Sequence, residues 1–543
     1  MKLRRVVILL LVAALVVGLF AGCNRPKART DVTKGDLAAT QELRYNLGTE
    51  PQTLDPCKST GVPEMNVHLP MLEGLTRVGL NNQIVPGVAT KWEVSPDGKV
   101  YTFHLRKAKW SNGDPLTAED FKWSWLRACA PETAGDYAYQ LWYIKNAQAY
   151  TEGTVSADEV GIKVINPQTL EVTLEYSAPY FLEITAFDTL LPVHRATAEA
   201  QGDKFGSEAA GYVCNGPFVL TEWVHNDHIT YVKNNEYWDK DNVFLDKLTY
   251  YMVEEASTEL TMYETGQIDI GDNPPLPDHD RLVTEGKLQT APLIGTYYYI
   301  FNCEQKPFDD PRVRKALTLG LNRADLIKNV LKGAQMPATA FVCKGINEGD
   351  KDFRDVGGSF FKDADIAEAQ RLLAEAGYPG GKGFPAFEIL YNTSESHKAI
   401  AEAICEMWKT NLGISGIKLV NQEWGVYLDS RDAGAFQVAR AGWIGDYSDP
   451  MTFLDMWTTG NGNNNTRWGD AEYDKLVEEA KREQDPAKRF AIMHKIEEIL
   501  MRDMPILPIY FYADEYVMQP YVGGVIRSPL GPIEFKFAYI KKH

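Results

Sequence analysis

Lys306-Pro307-Phe308-Asp309-Asp310-Pro311-Arg312-Val313-Arg314-Lys315-Ala316 is the stretch from which the fold is read. Asp310 followed by Pro311 starts a helix, because proline's fixed φ and missing N–H suit the first turn, where that N–H has no partner. Val313, Ala316, Leu317, Leu321 and Ile327 then fall roughly on one face, as in a helix packed on a core. Further out, Tyr101-Thr102-Phe103-His104-Leu105-Arg106 alternates as a half-buried strand does. Thr169-Leu170-Glu171-Val172-Thr173-Leu174-Glu175 repeats the pattern after the turn signal Asn166-Pro167. Thr117-Ala118-Glu119-Asp120 has capping-box spacing, with Asp where Glu or Gln is preferred. Residues 365–376 form another amphipathic helix closed by Gly377 and Pro379, and 397–412 and 486–501 are helical too. Strand and helix signals alternate without an internal repeat or a low-complexity linker. This predicts an α/β chain with interleaved domains.

The length of 543 residues suits about three domains. Hydrophobic residues at 44% and charged residues at 24% are ordinary for a globular chain. The 74 acidic residues outnumber the 56 basic ones, giving a net charge of −18. That disfavours nucleic acid as a partner, since no basic excess exists to displace phosphate counterions. Aromatic content of 11% suggests aromatic-lined binding surfaces as well as core.

Met1-Lys2-Leu3-Arg4-Arg5 precedes a 15-residue apolar run over 6–20. The run is shorter than the roughly 20 residues of a membrane span and has the length of a signal-peptide core. Leu19-Phe20-Ala21-Gly22-Cys23 resembles the lipobox of bacterial lipoproteins, with Phe20 where leucine is commonest. The resemblance implies a signal peptide over 1–22 and lipid on Cys23. It places the protein outside the cytoplasm, as a lipoprotein on the outer face of the cytoplasmic membrane or in the periplasm. Residues 23–40 are polar and read as a flexible tether. The other six cysteines, Cys57, Cys129, Cys214, Cys303, Cys343 and Cys405, allow 15 disulfide pairings. None forms a CxxC pair or a zinc-like spacing with histidine, so no metal or cofactor is expected.

Hydrolase motifs are missing: there is no Gly-x-Ser-x-Gly elbow and no HExxH. The stretch 377–383 fails as a phosphate loop, because Ala376 stands at the first glycine position and Gly383 replaces Ser/Thr. An enzyme is not expected. An exported peptide-acting enzyme or a chaperone-like holdase stays as the alternative class.

Gly48-Thr49-Glu50-Pro51-Gln52-Thr53-Leu54-Asp55-Pro56 resembles the N-terminal signature of the family-5 extracellular solute-binding proteins, which serve peptide and nickel ABC importers. Further matching blocks follow in order: Ile84-Val85-Pro86-Gly87-Val88-Ala89-Thr90-Lys91-Trp92-Glu93, then Trp110-Ser111-Asn112-Gly113-Asp114-Pro115-Leu116-Thr117, Asn234-Asn235-Glu236-Tyr237-Trp238, and the 306–316 stretch. Asn235 replaces the usual proline. Leu390-Tyr391-Asn392-Thr393-Ser394-Glu395-Ser396-His397 and Val438-Ala439-Arg440-Ala441-Gly442-Trp443-Ile444-Gly445-Asp446-Tyr447 are similar to the oligopeptide-binding branch. Gly295 and Ile444 stand where that branch commonly has a cysteine pair, so its disulfide does not carry over. Nickel import is disfavoured, since no histidine cluster appears.

The resemblance implies a receptor that holds peptides by the groups every peptide has. Asp446 matches the aspartate that pairs with the ligand's α-ammonium, and Glu64 is a possible second acid at that end. Arg440, His397 and Arg431 match basic residues that receive the terminal carboxylate. The backbones around Val62 to Asn66 and of Trp443, Ile444 and Gly445 would flank the ligand as strands do. Trp424, Tyr297 and Tyr298 would line side-chain pockets. A dipeptide, a cell-wall peptide or a peptide signal remains an alternative ligand. The implied fold is a periplasmic-binding-protein class II-like clamshell with an inserted domain. Its lobe I comprises 41–77, 200–295 and 514–543, the inserted domain 78–199, and lobe III 296–513. The implied partners are an oligopeptide, the permease subunits of an ABC importer and the membrane, reached through Cys23. A monomer is expected.

Overall fold

A computed structural model describes residues 33–80 and 83–543. The expected signal core and Cys23 lie outside those residues. One large sheet contains β1 (Glu42–Asn46), β2 (Phe218–Val224), β3 (His228–Lys233), β4 (Lys247–Tyr251) and β5 (Ile270–Gly271). It continues through β6 (Leu288–Phe301), β7 (Phe387–Asn392), β8 (Ile417–Gln422), β9 (Val438–Ile444) and β10 (Ile506–Met518). The order is β2-β3-β4-β1-β5-β10-β6-β9-β7-β8, and Met336–Pro337 pairs with β10 off this path. Strand β1 runs parallel to β4 and β5, and β7 runs parallel to β8 and β9. The central run β5-β10-β6-β9 is antiparallel.

The two long strands carry the chain between the halves of the sheet. Strand β6 pairs with β10 from Leu288 opposite Val517 to Ile300 opposite Ile506, with register shifts between Pro292 and Thr296 and between Tyr297 and Tyr298. Pro292 has no N–H to give the ladder, so pairing breaks where one half passes into the other. A separate four-stranded sheet is ordered Ala89–Val94, Val100–Leu105, Thr169–Thr173, Ile162–Asn166. There Tyr101, Phe103, Leu105, Leu170 and Val172 are buried, the alternation read from the sequence.

The helices that matter to the site are α1 (Val62–Met71), α2 (Ala118–Cys129), α3 (Pro311–Leu319), α4 (Ile366–Glu375), α5 (Glu395–Leu412), α6 (Trp424–Asp432) and α7 (Pro486–Asp503). Asp120 accepts from the Thr117 N–H at 2.7 Å, completing the reciprocal contact of the cap before α2. Asp310 caps α3 by accepting from the Arg312 N–H at 2.8 Å. Three expectations need correction. The apolar face expected from Val313 to Ile327 is buried, but α3 stops at Leu319 and a new turn begins at Arg323. A Cβ on Gly320 would come within 2.7 Å of Leu412, so the chain turns where α5 packs against it. Helix α5 starts at Glu395, two residues before His397. Finally, residues 62–66 are helical, so beyond Gly61 this segment cannot pair with a ligand as a strand.

All six described cysteines are free thiols, four of them buried. Burial pushes Cys129 and Cys214 up to about 12, which leaves them protonated and unreactive.

Candidate functional site

A cavity of about 310 Å³ opens between the halves of the large sheet, lined by the start of α1, strand β9, helix α6 and aromatic side chains. Strand β9 forms one wall. One edge of it pairs with β6 along its length, while on the other edge β7 meets it only at Val438 and Ala439. The Arg440 carbonyl points to that second edge and accepts from the Tyr427 hydroxyl of α6. By strand alternation the main-chain groups of Gly442 and Ile444 point the same way, with no strand opposite them among the described residues. On the face of the strand, Gly442 leaves room for the Tyr512 hydroxyl beside Arg440. A Cβ there would meet the Tyr512 hydroxyl and would lie 3.2 Å from Arg440 Nη2.

Asp446, two residues past β9, is half-buried on the cavity wall. Gln140 Nε2 donates to its carboxylate at 2.5 Å, and its own N–H donates to Thr452 Oγ1 at 2.9 Å. No lysine, arginine or histidine pairs with it among the described residues. Burial pushes the Asp446 carboxyl well above the usual range, and nearby Asp455 pushes the same way against Gln140 and Thr452. Asp455 is itself pushed up to about 6 by burial, although it accepts from the Tyr143 hydroxyl at 3.2 Å.

Arg440 faces the same cavity. It donates to the Tyr512 hydroxyl at 3.0 Å and to Asn392 Oδ1 at 3.3 Å, and lies 4.8 Å from the Tyr297 ring centre. Its Nε is buried without a partner, and no carboxylate pairs with it among the described residues. Arg431 also lines the cavity, with Nε 3.7 Å from Asp432. Trp424, Tyr298 and Trp443 supply apolar walls, and Trp443 stacks on Tyr137 with ring centres 6.1 Å apart.

Val62, Trp424, Tyr298, Arg431, Arg440, Trp443, Ile444 and Asp446 therefore meet at one cavity, while five other expected residues do not line it. Glu64 is fully buried. It accepts from the Gln52 N–H at 2.6 Å and from Trp424 Nε1 at 3.3 Å, because the helical turn of α1 aims it away from the cavity. Gly61 makes this packing possible, since a Cβ there would collide with the Glu64 carboxylate and lie 2.9 Å from the Trp424 ring. Asn66 is turned towards the core, where Oδ1 accepts from the Ile533 N–H at 3.1 Å. Gly445 is buried and donates to the Ile294 carbonyl. Tyr297 lies on the opposite face of β6 from Tyr298, as alternation requires. Behind it, His397 Nδ1 lies 3.2 Å from the Tyr297 hydroxyl. Burial pulls the His397 imidazole well below its ordinary value and Arg440 adds to this, so it is neutral. Gln140, Thr452, Tyr137 and Tyr512 were missed by sequence reasoning. They belong to no matched block; Thr452 reaches Asp446 through the turn six residues on, and contacts between distant segments bring the other three here.

Contacts across the cavity hold its two sides together: Trp424 to Glu64, and Gln52 Nε2 to Asp429 Oδ1 at 3.3 Å. The chain is 40% identical over 519 residues to the oligopeptide-binding protein OppA of Bacillus subtilis (strain 168), covering 94% of each chain. The Haemophilus influenzae OppA in complex with RPPGFSPFR matches with a TM-score of 0.87 at 36% identity, over 93% of this chain and all of that one. An unliganded open form of the murein tripeptide binding protein MppA matches with only 0.63 at 37% identity, over 94% and 99% of the chains. Identity is level between the two, so the difference is one of lobe arrangement. The cross-cavity contacts agree with the better match to the liganded structure than to the open form. The fold is thus the α/β clamshell of periplasmic-binding proteins. Residues 83–465 match the middle region of the bacterial extracellular solute-binding proteins, family 5, and the chain belongs to that family.

Proposed function

We propose that this chain captures short peptides with a free amino terminus between two lobes and delivers them to an ABC import permease. One observation carries the reading: an acid without a cation and a cation without an acid, Asp446 and Arg440, face a single cavity. Burying isolated charges costs several kcal/mol each, so such a site favours a ligand that brings both opposite charges. The α-ammonium would pair with Asp446 and the terminal carboxylate with Arg440, with Arg431 available to other ligand lengths. Six residue positions separate the two, about 20 Å of extended chain before the reach of the arginine is subtracted. That suits a ligand of a few residues lying along β9. The open edge at Gly442 and Ile444 would bond to its backbone without reading sequence.

Lipid on Cys23 would hold the receptor outside the cytoplasm on a tether, acting as a monomer beside its permease. Residues 41–77, 200–295 and 514–543 would move as one lobe and 296–513 as the other, with 78–199 as the inserted domain that supplies Gln140. Calorimetry with a free pentapeptide, its N-acetylated form and its C-terminal amide tests the reading. The free peptide is expected to bind and both blocked forms to bind far more weakly. Equal binding of all three overturns it. Mass spectrometry of the same mixture should recover the peptide intact, and turnover would favour a peptidase instead.

A further inference from the structure

Helix α1 carries a second ionisable group, His68, one turn after Glu64 and on the same face. It is fully buried, and its Nδ1 lies 2.7 Å from Asp188 Oδ1. The other Asp188 oxygen accepts from Ser59 Oγ at 2.5 Å, and Ser59 and Asp188 both line the main cavity. Glu64 Oε1 takes the Gln52 N–H and, from across the cavity, the Trp424 indole. Glu64 Oε2 and His68 Nε2 are buried without a partner among the described residues. No lysine or arginine pairs with Glu64 or Asp188 there. The other acids packed near α1 are balanced, Asp55 by Arg127 at 2.6 Å and Glu534 by Arg77. Tyr212, Tyr231 and Tyr250 donate to main-chain carbonyls, and burial keeps them and the Cys57 thiol neutral. Closing the cavity takes Glu64 out of water, which is costly for a carboxylate unless a positive charge lies near. Burial pushes the Glu64 carboxyl up, against the Gln52 N–H, the His68 charge and Trp424. Burial also opposes charge on the His68 imidazole, but Asp188 and then Glu64 outweigh it and hold its value above the ordinary one. The stabilisation is complete below the ordinary value of about 6.5 and is lost as pH rises through the raised one.

We infer that His68 is a positioning residue for peptide capture: its imidazolium is the counter-ion that lets closure bury Glu64 against Trp424. The inference rests on capture between two lobes, and adds to that reading a loosening of closure when His68 gives up its proton. The experiment is calorimetric titration of the full chain, freed of ligand, with tetra-alanine from about pH 6 to about pH 8.5, a range that spans the titration of a histidine held above its ordinary value. The unaltered chain, His68→Gln and Glu64→Gln are compared. The peptide's own α-ammonium titrates at about 7.7–8.0, but alike against all three, so the affinity ratios isolate the chain's groups. His68→Gln is expected to bind at least about fivefold more weakly than the unaltered chain at the acidic end, and the gap should close at the alkaline end. Glu64→Gln keeps an acceptor for Gln52 and Trp424 without the charge. Its affinity relative to the unaltered chain should rise at least about threefold from the acidic to the alkaline end, and it carries the test if His68→Gln does not fold. A His68 that only fills space would lower affinity equally at every pH. Ratios that stay constant across the range therefore overturn the role of His68 and leave peptide capture standing. No binding of tetra-alanine by the unaltered chain at any pH overturns both.

Discussion

Arg77 and Arg440 are both withdrawn from water, yet Arg77 meets the Glu534 carboxylate while Arg440 meets hydroxyls and an amide. Around Arg77 the charges alternate in sign. Glu73 lies 3.8 Å away, and Lys536, pulled down to about 8 by burial, reaches Asp239 at 2.7 Å. This cluster ties the C-terminal segment to the stretch that follows α1, and each of its charges faces an opposite one. On the cavity wall neither Asp446 nor Arg440 has an opposite charge. On the proposed reading, the charges balanced internally serve the fold and the unbalanced pair facing the cavity serves a ligand, while Glu64, buried with no cation touching it, is turned away from the cavity.

The comparison can be broken most severely at its structural end. Arg77→Ala should cost about 3–5 kcal/mol in denaturant unfolding, since it strands Glu534 and Glu73 in the core. A loss below about 1 kcal/mol would erase the contrast. Asp446→Asn should act in opposite directions on two measurements. Peptide affinity should fall by about 2–4 kcal/mol in calorimetry, because the ammonium loses its partner. The empty protein should melt at a higher temperature. The folded carboxyl is raised above its unfolded value, so at every pH above the unfolded value the group penalises the fold, and the amide removes that penalty. A lower melting temperature would place Asp446 with the balanced set. Arg440→Gln should weaken free peptides by about 1.5–3 kcal/mol, with no further loss when the peptide is amidated. Additive losses would show that the carboxylate sits elsewhere. The smallest effect concerns pH. Peptide binding needs ionised Asp446, so affinity should fall as pH drops through its raised value, before an ordinary aspartate would titrate. Calorimetry in buffers of different ionisation heat should then detect proton release on binding, and none at any acidic pH would contradict the raised carboxyl.

Much of the molecule is legible in the residues alone. The Asp-Pro start of α3, the alternation at 101–105 and the glycine after α4 are local chemistry, set by proline's ring, strand pleat and positive φ at Gly377. Asp446, Arg440, Trp443 and Ile444 could be named because they stand in one contiguous block that folds into a single strand and its exit. Glu64, Asn66 and His397 show where that reasoning stops. The resemblance implies ligand contacts for them too, but helices α1 and α5 aim them into packing rather than into the cavity.

Sequence by itself settled the family, the α/β alternation and the unusual acid and base near β9, because each depends on neighbours along the chain. Tertiary structure alone decided which charges would be left without partners. Gln140 reaches Asp446 across 306 positions and Arg77 reaches Glu534 across 457. Whether a buried charge is balanced depends on distances through space, and a one-dimensional order of residues does not hold them.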